Sequence, residues 1–253
     1  MSSVFVSRAM PVADPEAGSV VPLGEHSKSS GNRPLHGSFD VCPTWLEFAL
    51  RHLSDAQVAQ GARVAAWRAA DDNSKAGALE WEFEASMQAI MASAIAVDAF
   101  CAAVQSRLPL PQSLVEHWRD KRTPRHTQIS EVLRIAFSLT ATEEGNLQRN
   151  LGEIFRFRDL AVDPSDKSDT PILHPGLQVG VAWRFAYFQC ENALLIVKVT
   201  LRLIWQLVAS GKPKMADVQM YIDALRPKLE RLRNANALRT LPSVSDAPSS
   251  RGS

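Results

Sequence analysis

The residues of this chain best suited to chemistry lie at the end of one predicted helix, where Arg158 and Asp163 are five positions apart. Arg158 continues a row of apolar residues at steps of four, three and four, a spacing that places side chains on one helix face. An unpaired guanidinium on a buried face is costly, so Arg158 needs an anion, a carboxylate partner or a water-filled cleft. Pro164 disfavours helical geometry at the residue before it and ends the helix. The apolar residues of the row are Leu147, Leu151 and Ile154.

The composition of the chain narrows the range of functions. A chain of 253 residues is long enough for one helical domain with tails, or for at most two small domains. Its formal net charge of +1 indicates no general affinity for polyanions, so any RNA contact requires a local basic patch. Three scattered cysteines form no CxxC and no Cys/His cluster, which predicts free thiols in a reducing cytoplasm and no metal site. No Walker loop, dinucleotide-binding glycine pattern or HExxH sequence is present, so we expect no cofactor.

Helical periodicity extends over most of the chain. Apolar residues recur at steps of three and four and predict two long and two medium helices. Two shorter helices are predicted near the N-terminus, beginning at Pro43 and at Ser54. No strand alternation stands out, so the predicted fold class is all-α, an up-and-down bundle with additional peripheral helices. The four main helices are predicted over Leu79–Arg107, Thr127–Thr140, Thr142–Asp163 and Pro175–Ala209.

The predicted domain organisation has five parts. Residues 1–40 and 240–253 are rich in small and turn-forming residues without a steady period, and we expect both to be disordered tails. Residues 41–78 form a short helical N-terminal segment, and residues 79–210 form the bundle. Residues 211–239 form a peripheral C-terminal helix.

The stretch closest to a membrane span is Ala186–Val208. It contains Glu191, Lys198 and Arg202, and charges of this kind are rare in a segment that crosses a bilayer. The sequence therefore favours a buried helix of a cytoplasmic protein, and no membrane partner is expected.

The segment around Arg158 resembles a known family. Arg158-Asp159-Leu160-Ala161-Val162-Asp163-Pro164 ends the third main helix and precedes a long fourth helix, an arrangement similar to that of the HEPN domain superfamily. Active members of that family have an arginine, four to six intervening residues and a histidine at this place. The segment 80–84 before an alanine-rich first helix, and the segment 183–186 in the fourth helix, support the resemblance, which covers residues 79–209.

The resemblance implies an all-α homodimer and a metal-independent ribonuclease of the toxin–antitoxin, phage-defence or RNA-processing class. In HEPN proteins the arginine and histidine of two subunits share one cleft, where the histidine moves a proton and the arginine stabilises charge on the scissile phosphate. This sequence has Asp163 where the histidine would stand. An aspartate with a pKa of about 3.9 is a poor acid at neutral pH, whereas a histidine near 6.5 can accept and donate a proton.

Two interpretations of Arg158 remain open on sequence grounds. It contacts a phosphate in the dimer cleft, or it forms a structural ion pair with Asp159 or Asp163. Asp98, on the helix that borders the cleft in the family, could orient Arg158 or pair with another basic residue.

Three further residues are candidates for RNA contact or catalysis. His174 follows the motif in a loop, and it could fold back to supply the missing imidazole or simply lie at a helix entry. Arg125 and His126 end the densest basic run of the chain, which either contacts RNA or forms a solvated charged loop.

Two functional hypotheses follow. The first is a HEPN-like dimer that engages RNA, an antitoxin or another protein, with ribonuclease activity weakened or lost because of Asp163. The alternative is a non-catalytic helical module for protein–protein interaction. In that case the helix predicted over Pro175–Ala209, which is apolar on two sides, makes the interface and Arg158 only stabilises a helix end.

Overall fold

The computed structural model describes residues 40–69, 71–162 and 170–235. The chain divides after Asp40 into two units, and of the first unit only Asp40 is among the described residues. Asp163, the C-terminal tail and the rest of the N-terminal tail lie outside the described residues. All that follows concerns the second unit.

The described part of this unit is all-α, as predicted, with eight helices and one very short strand pair. The strands β1 (Ile172–Leu173) and β2 (Gly180–Val181) are antiparallel, with Ile172 opposite Val181. The helices are α1 (Cys42–Ala69), α2 (Asp72–Gln105), α3 (Gln112–Asp120), α4 (Arg125–Ala136), α5 (Ala141–Val162), α6 (Trp183–Tyr187), α7 (Cys190–Ala209) and α8 (Ala216–Ala235).

α1 is one continuous helix of 28 residues, so the expectation of two short helices beginning at Pro43 and Ser54 was wrong. Leu53, Ala56 and Ala59 are buried on both sides of the expected break, at steps of three residues. Packing of this face against α2 keeps the helix continuous through a serine that by itself favours a helix start.

α2 begins earlier than expected, at Asp72 instead of Leu79. Asp71 caps it by accepting a hydrogen bond from the backbone N–H of Ser74 at 3.0 Å. α4 ends at Ala136, short of the predicted Thr140, because the next residue is extended and pairs with Pro213.

The prediction of one long helix over Pro175–Ala209 is also wrong for the first half of that range. Residues 172–181 form the β1–β2 hairpin with the turn between its strands, and the short helix α6 precedes α7. Phe188 ends α6 with its ring fully inside the bundle, where it makes an edge contact with Phe83 of α2 at 5.8 Å between ring centroids. Gln189 is extended and precedes α7, so the helix is interrupted where the ring of Phe188 is buried.

α2 is the central helix, in contact with α1, α4, α5, α6 and α7. The predicted apolar row of α5 faces this core, since Leu147, Leu151 and Ile154 are all buried. α8 packs on α7 through an apolar face that includes Val218, Ile222 and Leu225. The fold therefore holds the end of α5 close to α2 and α7.

α2 and α7 are long and apolar enough to cross a membrane, as judged by length and composition alone. Of the apolar window in each helix, 56% and 50% respectively is buried inside the bundle. A core helix of a soluble protein has the same properties, so the observation is weak evidence for a membrane span.

Candidate functional site

Arg158 lies near the C-terminal end of α5, with its side chain about one-third exposed. Its Nη2 is 2.9 Å from Oδ1 of Asp159, and its guanidinium lies 5.0 Å from the centroid of the Phe155 ring. The Nε atom is buried and has no hydrogen-bond partner within the described ranges. Among the described residues, Arg158 therefore has Asp159 as its carboxylate neighbour, and part of its side chain is exposed.

Two further arginines stack on aromatic rings, and one of them, Arg156, is two residues before Arg158 on α5. Arg156 lies 4.6 Å from the centroid of Phe157 and 6.0 Å from that of Tyr187. On α6, Arg184 lies 5.4 Å from the centroid of Trp183, whose ring meets Tyr187 edge-on at 5.8 Å. We call Arg156, Arg158, Trp183, Arg184 and Tyr187 the arginine–aromatic corner; Arg158 belongs to it through α5, although it lies on a different side of that helix from Arg156.

Two arginines of the corner have carboxylate partners within the described residues. Glu153 accepts hydrogen bonds from Arg156 at 2.9 and 3.1 Å, and Asp159 pairs with Arg158. Both carboxylates are more than half exposed, so solvent screens these pairs. Tyr187 is 37% exposed and leaves part of its ring accessible.

Asp98 pairs with Arg125 and not with Arg158. Arg125 Nε donates to Asp98 Oδ1 at 2.7 Å, and Arg125 Nη1 donates to Gln128 at 3.3 Å. His126 lies next to Arg125 in the first turn of α4 and is partly buried. The pair joins the start of α4 to the C-terminal third of α2, so its role is structural.

His174 is fully buried beside Arg63 and Glu82, so it does not supply an imidazole to Arg158. Burial lowers the pKa of His174, and the positive charge of Arg63 lowers it further. The negative charges of Glu82 and Glu191 raise the pKa of His174, but by less. Arg158 is not among the groups that shift this pKa.

A buried ion pair between Arg63 of α1 and Glu82 of α2 was missed by the sequence analysis. Each side chain is only 2% exposed, and Arg63 Nε donates to Glu82 Oε2. Glu82 Oε1 also accepts the backbone N–H of Cys190, the first residue of α7, at 3.0 Å. Arg63 follows Ala56 and Ala59 at steps of three and four, so the spacing that drew attention to Arg158 was present here too.

Other candidate chemistries find little support in the described residues. No group of three His, Cys, Asp or Glu side chains there could hold a metal ion. Burial raises the pKa of Cys101 to about 12 and that of Cys190 to about 11, so neither thiol is a nucleophile at neutral pH.

A polar cleft of about 270 Å³ opens between α4 and α5. Arg134 and Glu144 form an ion pair in it at 3.2 Å. None of the candidate residues from the sequence lines it; its walls are Thr127, Ser130, Glu131, Arg134, Ala141, Glu144, Gly145 and Gln148.

Comparison with known proteins gives no match to a protein family, to a curated protein or to a solved structure. The functional argument therefore depends on the geometry of this chain.

Proposed function

We propose that this protein is a HEPN-like helical protein that binds single-stranded RNA at the arginine–aromatic corner and cleaves it weakly or not at all. The observation that carries the proposal is the stacking of Arg156 and Arg184 on rings that meet at Tyr187, with the partly exposed Arg158 two residues after Arg156 on α5. Guanidinium groups bind phosphate and stack on bases, and a partly exposed aromatic ring adds a surface for one base.

Phosphate can replace Asp159 at Arg158 without a large energetic penalty. The pair is partly exposed, and exposed ion pairs contribute only about 0–1 kcal/mol. Stacking on an aromatic side chain contributes about 1–3 kcal/mol per base and depends little on sequence. Tyr187 is 37% exposed, and the guanidinium of Arg156 lies over its ring. The corner therefore suits an unpaired strand.

Weak catalysis is expected because no imidazole accompanies Arg158 in the described part of the chain. His174 is buried next to Arg63, and its ring accepts a hydrogen bond from Gly176. The residue at the histidine position of the family pattern is Asp163, whose carboxyl is ionised at neutral pH at its ordinary pKa. Such a group cannot donate a proton to the leaving oxygen.

The proposal predicts that Arg158→Ala weakens RNA binding by about tenfold, the loss of one phosphate contact. Fluorescence anisotropy with a short, labelled, mixed-sequence single-stranded RNA measures the change. The slope of the logarithm of the binding constant against the logarithm of the salt concentration should become shallower by about one. Arg149→Ala is the matched control, since Arg149 is an exposed arginine on the same helix. Equal binding by both variants, or no binding by the parent protein, would refute the proposal.

A cleavage assay on the same RNA forms the second arm of this test. Asp163→His restores the family's residue, and we expect it to cleave faster than the parent protein. The double variant with Arg158→Ala should lose that gain. If the parent protein already cleaves as fast as Asp163→His, the assignment of weak activity is wrong, although the binding site still stands.

One observation favours the alternative function, a non-catalytic interaction module. Leu195 on α7 is 57% exposed, while Ile196 and Val197 beside it are buried. In this case Arg158→Ala lowers stability and changes no RNA binding, and the protein associates through α7.

A further inference from the structure

A buried histidine and a buried ion pair meet beneath the β1–β2 hairpin. His174 has no exposed surface, and Arg63 and Glu82 are each 2% exposed. A Cβ atom at Gly176 would lie 3.4 Å from both terminal nitrogens of Arg63 and 3.7 Å from Cε1 of His174. The hairpin thus places the imidazole and the guanidinium around one point.

The hydrogen bond at Nδ1 determines the protonation state of His174. Nδ1 accepts the backbone N–H of Gly176 at 3.1 Å, and a nitrogen that carries a proton cannot accept. The ring is therefore neutral with its hydrogen on Nε2, an atom that is buried and has no partner among the residues described. A second proton would go to Nδ1 and would break the bond to Gly176.

The charged groups facing His174 do not compensate an added positive charge. From α1 comes Arg63, which repels an imidazolium. From α2 comes Glu82, already engaged by Arg63 and by the N–H of Cys190. From α7 comes Glu191, which accepts a hydrogen bond from Gln60. Burial and Arg63 outweigh both carboxylates, and the pKa of His174 is lowered from 6.5.

The backbone of His174 also takes part in the hairpin, independently of its side chain. The backbone N–H of His174 donates to Val179 at 2.8 Å, and its carbonyl accepts from Leu177 and Gln178 at 3.2 and 3.0 Å. Beyond these bonds, β1 and β2 pair over only two residues each, and Leu173 is 61% exposed. Gln178 has a φ of 57°, a conformation that costs energy for any residue except glycine.

We propose that His174 is an acid-sensitive latch: its neutral ring holds the hairpin of residues 172–181 against the Arg63–Glu82 pair, and protonation at Nδ1 releases the hairpin while the helices stay folded. The proton comes from solvent, and the N–H of Gly176 loses its acceptor. We expect the core helices to retain their packing, because α2 and α7 pack chiefly against other helices. This inference does not depend on RNA binding.

The sign of the effect follows from the lowered pKa. Above pH 6.5 the histidine is neutral in both the closed and the open hairpin, so closure does not depend on pH. Below pH 6.5 the open form binds a proton that the closed form does not, and the closed form is progressively lost until the pH reaches the lowered pKa.

Hydrogen exchange measured by mass spectrometry between pH 7.5 and pH 5 tests the latch on the full chain, with intrinsic exchange rates corrected for pH. We expect protection in residues 172–181 to fall at the acidic end, while protection in α2 and α7 is unchanged. Constant protection of the hairpin across this range would overturn the proposal.

Two variants distinguish titration from a general loss of structure. His174→Asn keeps an acceptor for the N–H two residues on, as an Asx turn does, but cannot be protonated, so the hairpin should stay protected at both pH values. His174→Ala removes the acceptor, so the hairpin should exchange freely at both. His52→Asn is the control, and it should retain the response of the parent protein. A pH response that persists in His174→Asn would contradict the latch.

A second readout uses the parent protein alone. The Cε1 proton of His174 reports its titration by NMR, and the latch requires a midpoint below 6.5. A midpoint at or above 6.5 would show that closure does not oppose protonation, whatever the variants do.

Discussion

Glu82 is the residue on which three helices depend. It accepts hydrogen bonds from Arg63 of α1 and from the first backbone N–H of α7, and it is almost completely buried. Removing one member of such a pair leaves an uncompensated charge in the core, which is far more costly than removing both. The Arg158–Asp159 pair is one-third to two-thirds exposed and has much less effect on stability.

At the scale of single residues, we predict that Glu82→Ala lowers the free energy of unfolding by about 3–5 kcal/mol. Urea denaturation monitored by circular dichroism measures the loss. The double variant Arg63→Met with Glu82→Gln should be less destabilised, because it removes the buried charge and keeps an acceptor for Cys190. Glu84→Ala is the control, since Glu84 is exposed on the same helix and should change stability by less than about 0.5 kcal/mol. A Glu82→Ala variant as stable as the control would show that the pair contributes nothing.

The residue scale also shows how far a spacing pattern can be trusted. Arg63 and Arg158 both continue rows of apolar residues at helical steps. Arg63 is buried with a carboxylate from the next helix, whereas Arg158 is about one-third exposed near the end of its helix. The pattern identified the face of each helix but not the depth of the side chain, because depth depends on what packs above it.

At the level of elements, the end of α7 is joined to the end of α4. Ser138 donates its N–H to Lys212 at 2.9 Å and Lys214 donates its N–H to Ala136 at 2.8 Å, around the bridge between Phe137 and Pro213. Gly211 lies between them, and a Cβ at this position would be 3.0 Å from Cδ1 of Phe137. A Cβ there would be 2.1 Å from the carbonyl oxygen of Leu207, closer than any real contact.

We predict that Gly211→Ala destabilises the protein by about 1–3 kcal/mol, since backbone atoms must move to admit the methyl group. Gly145→Ala should instead stabilise the protein. Gly145 lies inside α5 with nothing within 4 Å of an added Cβ, so the helix gains about 0.5–1 kcal/mol from alanine. Thermal unfolding of the two variants side by side tests the pair, and equal shifts of the same sign would contradict it.

At the level of the whole molecule, α7 both completes the core and carries exposed apolar surface. Ile204 and Val208 are fully buried, while Leu195 is 57% exposed. A shared RNA cleft of the HEPN kind requires two copies of the chain, so the proposed function and the alternative both depend on association.

We predict a homodimer that dissociates on dilution, measured by light scattering coupled to size-exclusion chromatography. Leu195→Glu should shift the equilibrium towards the monomer without unfolding it, because the side chain is mostly exposed in the single chain. Met220→Glu is the control on α8, with a side chain that is 65% exposed. A parent protein that is monomeric at every concentration would exclude a cleft built from two subunits.

The sequence by itself determined the fold class and the buried face of α5. Both follow from local geometry, because residues three and four apart share a helix face whatever surrounds the helix. Leu147, Leu151 and Ile154 are buried as their spacing predicts. Arg158 also lies near the C-terminal end of α5, four residues before Val162.

The tertiary structure decided which charged groups meet. Glu82 accepts from Cys190 across 108 residues of sequence, and Asp98 pairs with Arg125 across 27. His174 joined the Arg63–Glu82 pair instead of Arg158 because the hairpin folds against α1 and α2. A periodic pattern describes one element at a time, and the partner of a buried charge is chosen by the packing of elements that are distant in the chain.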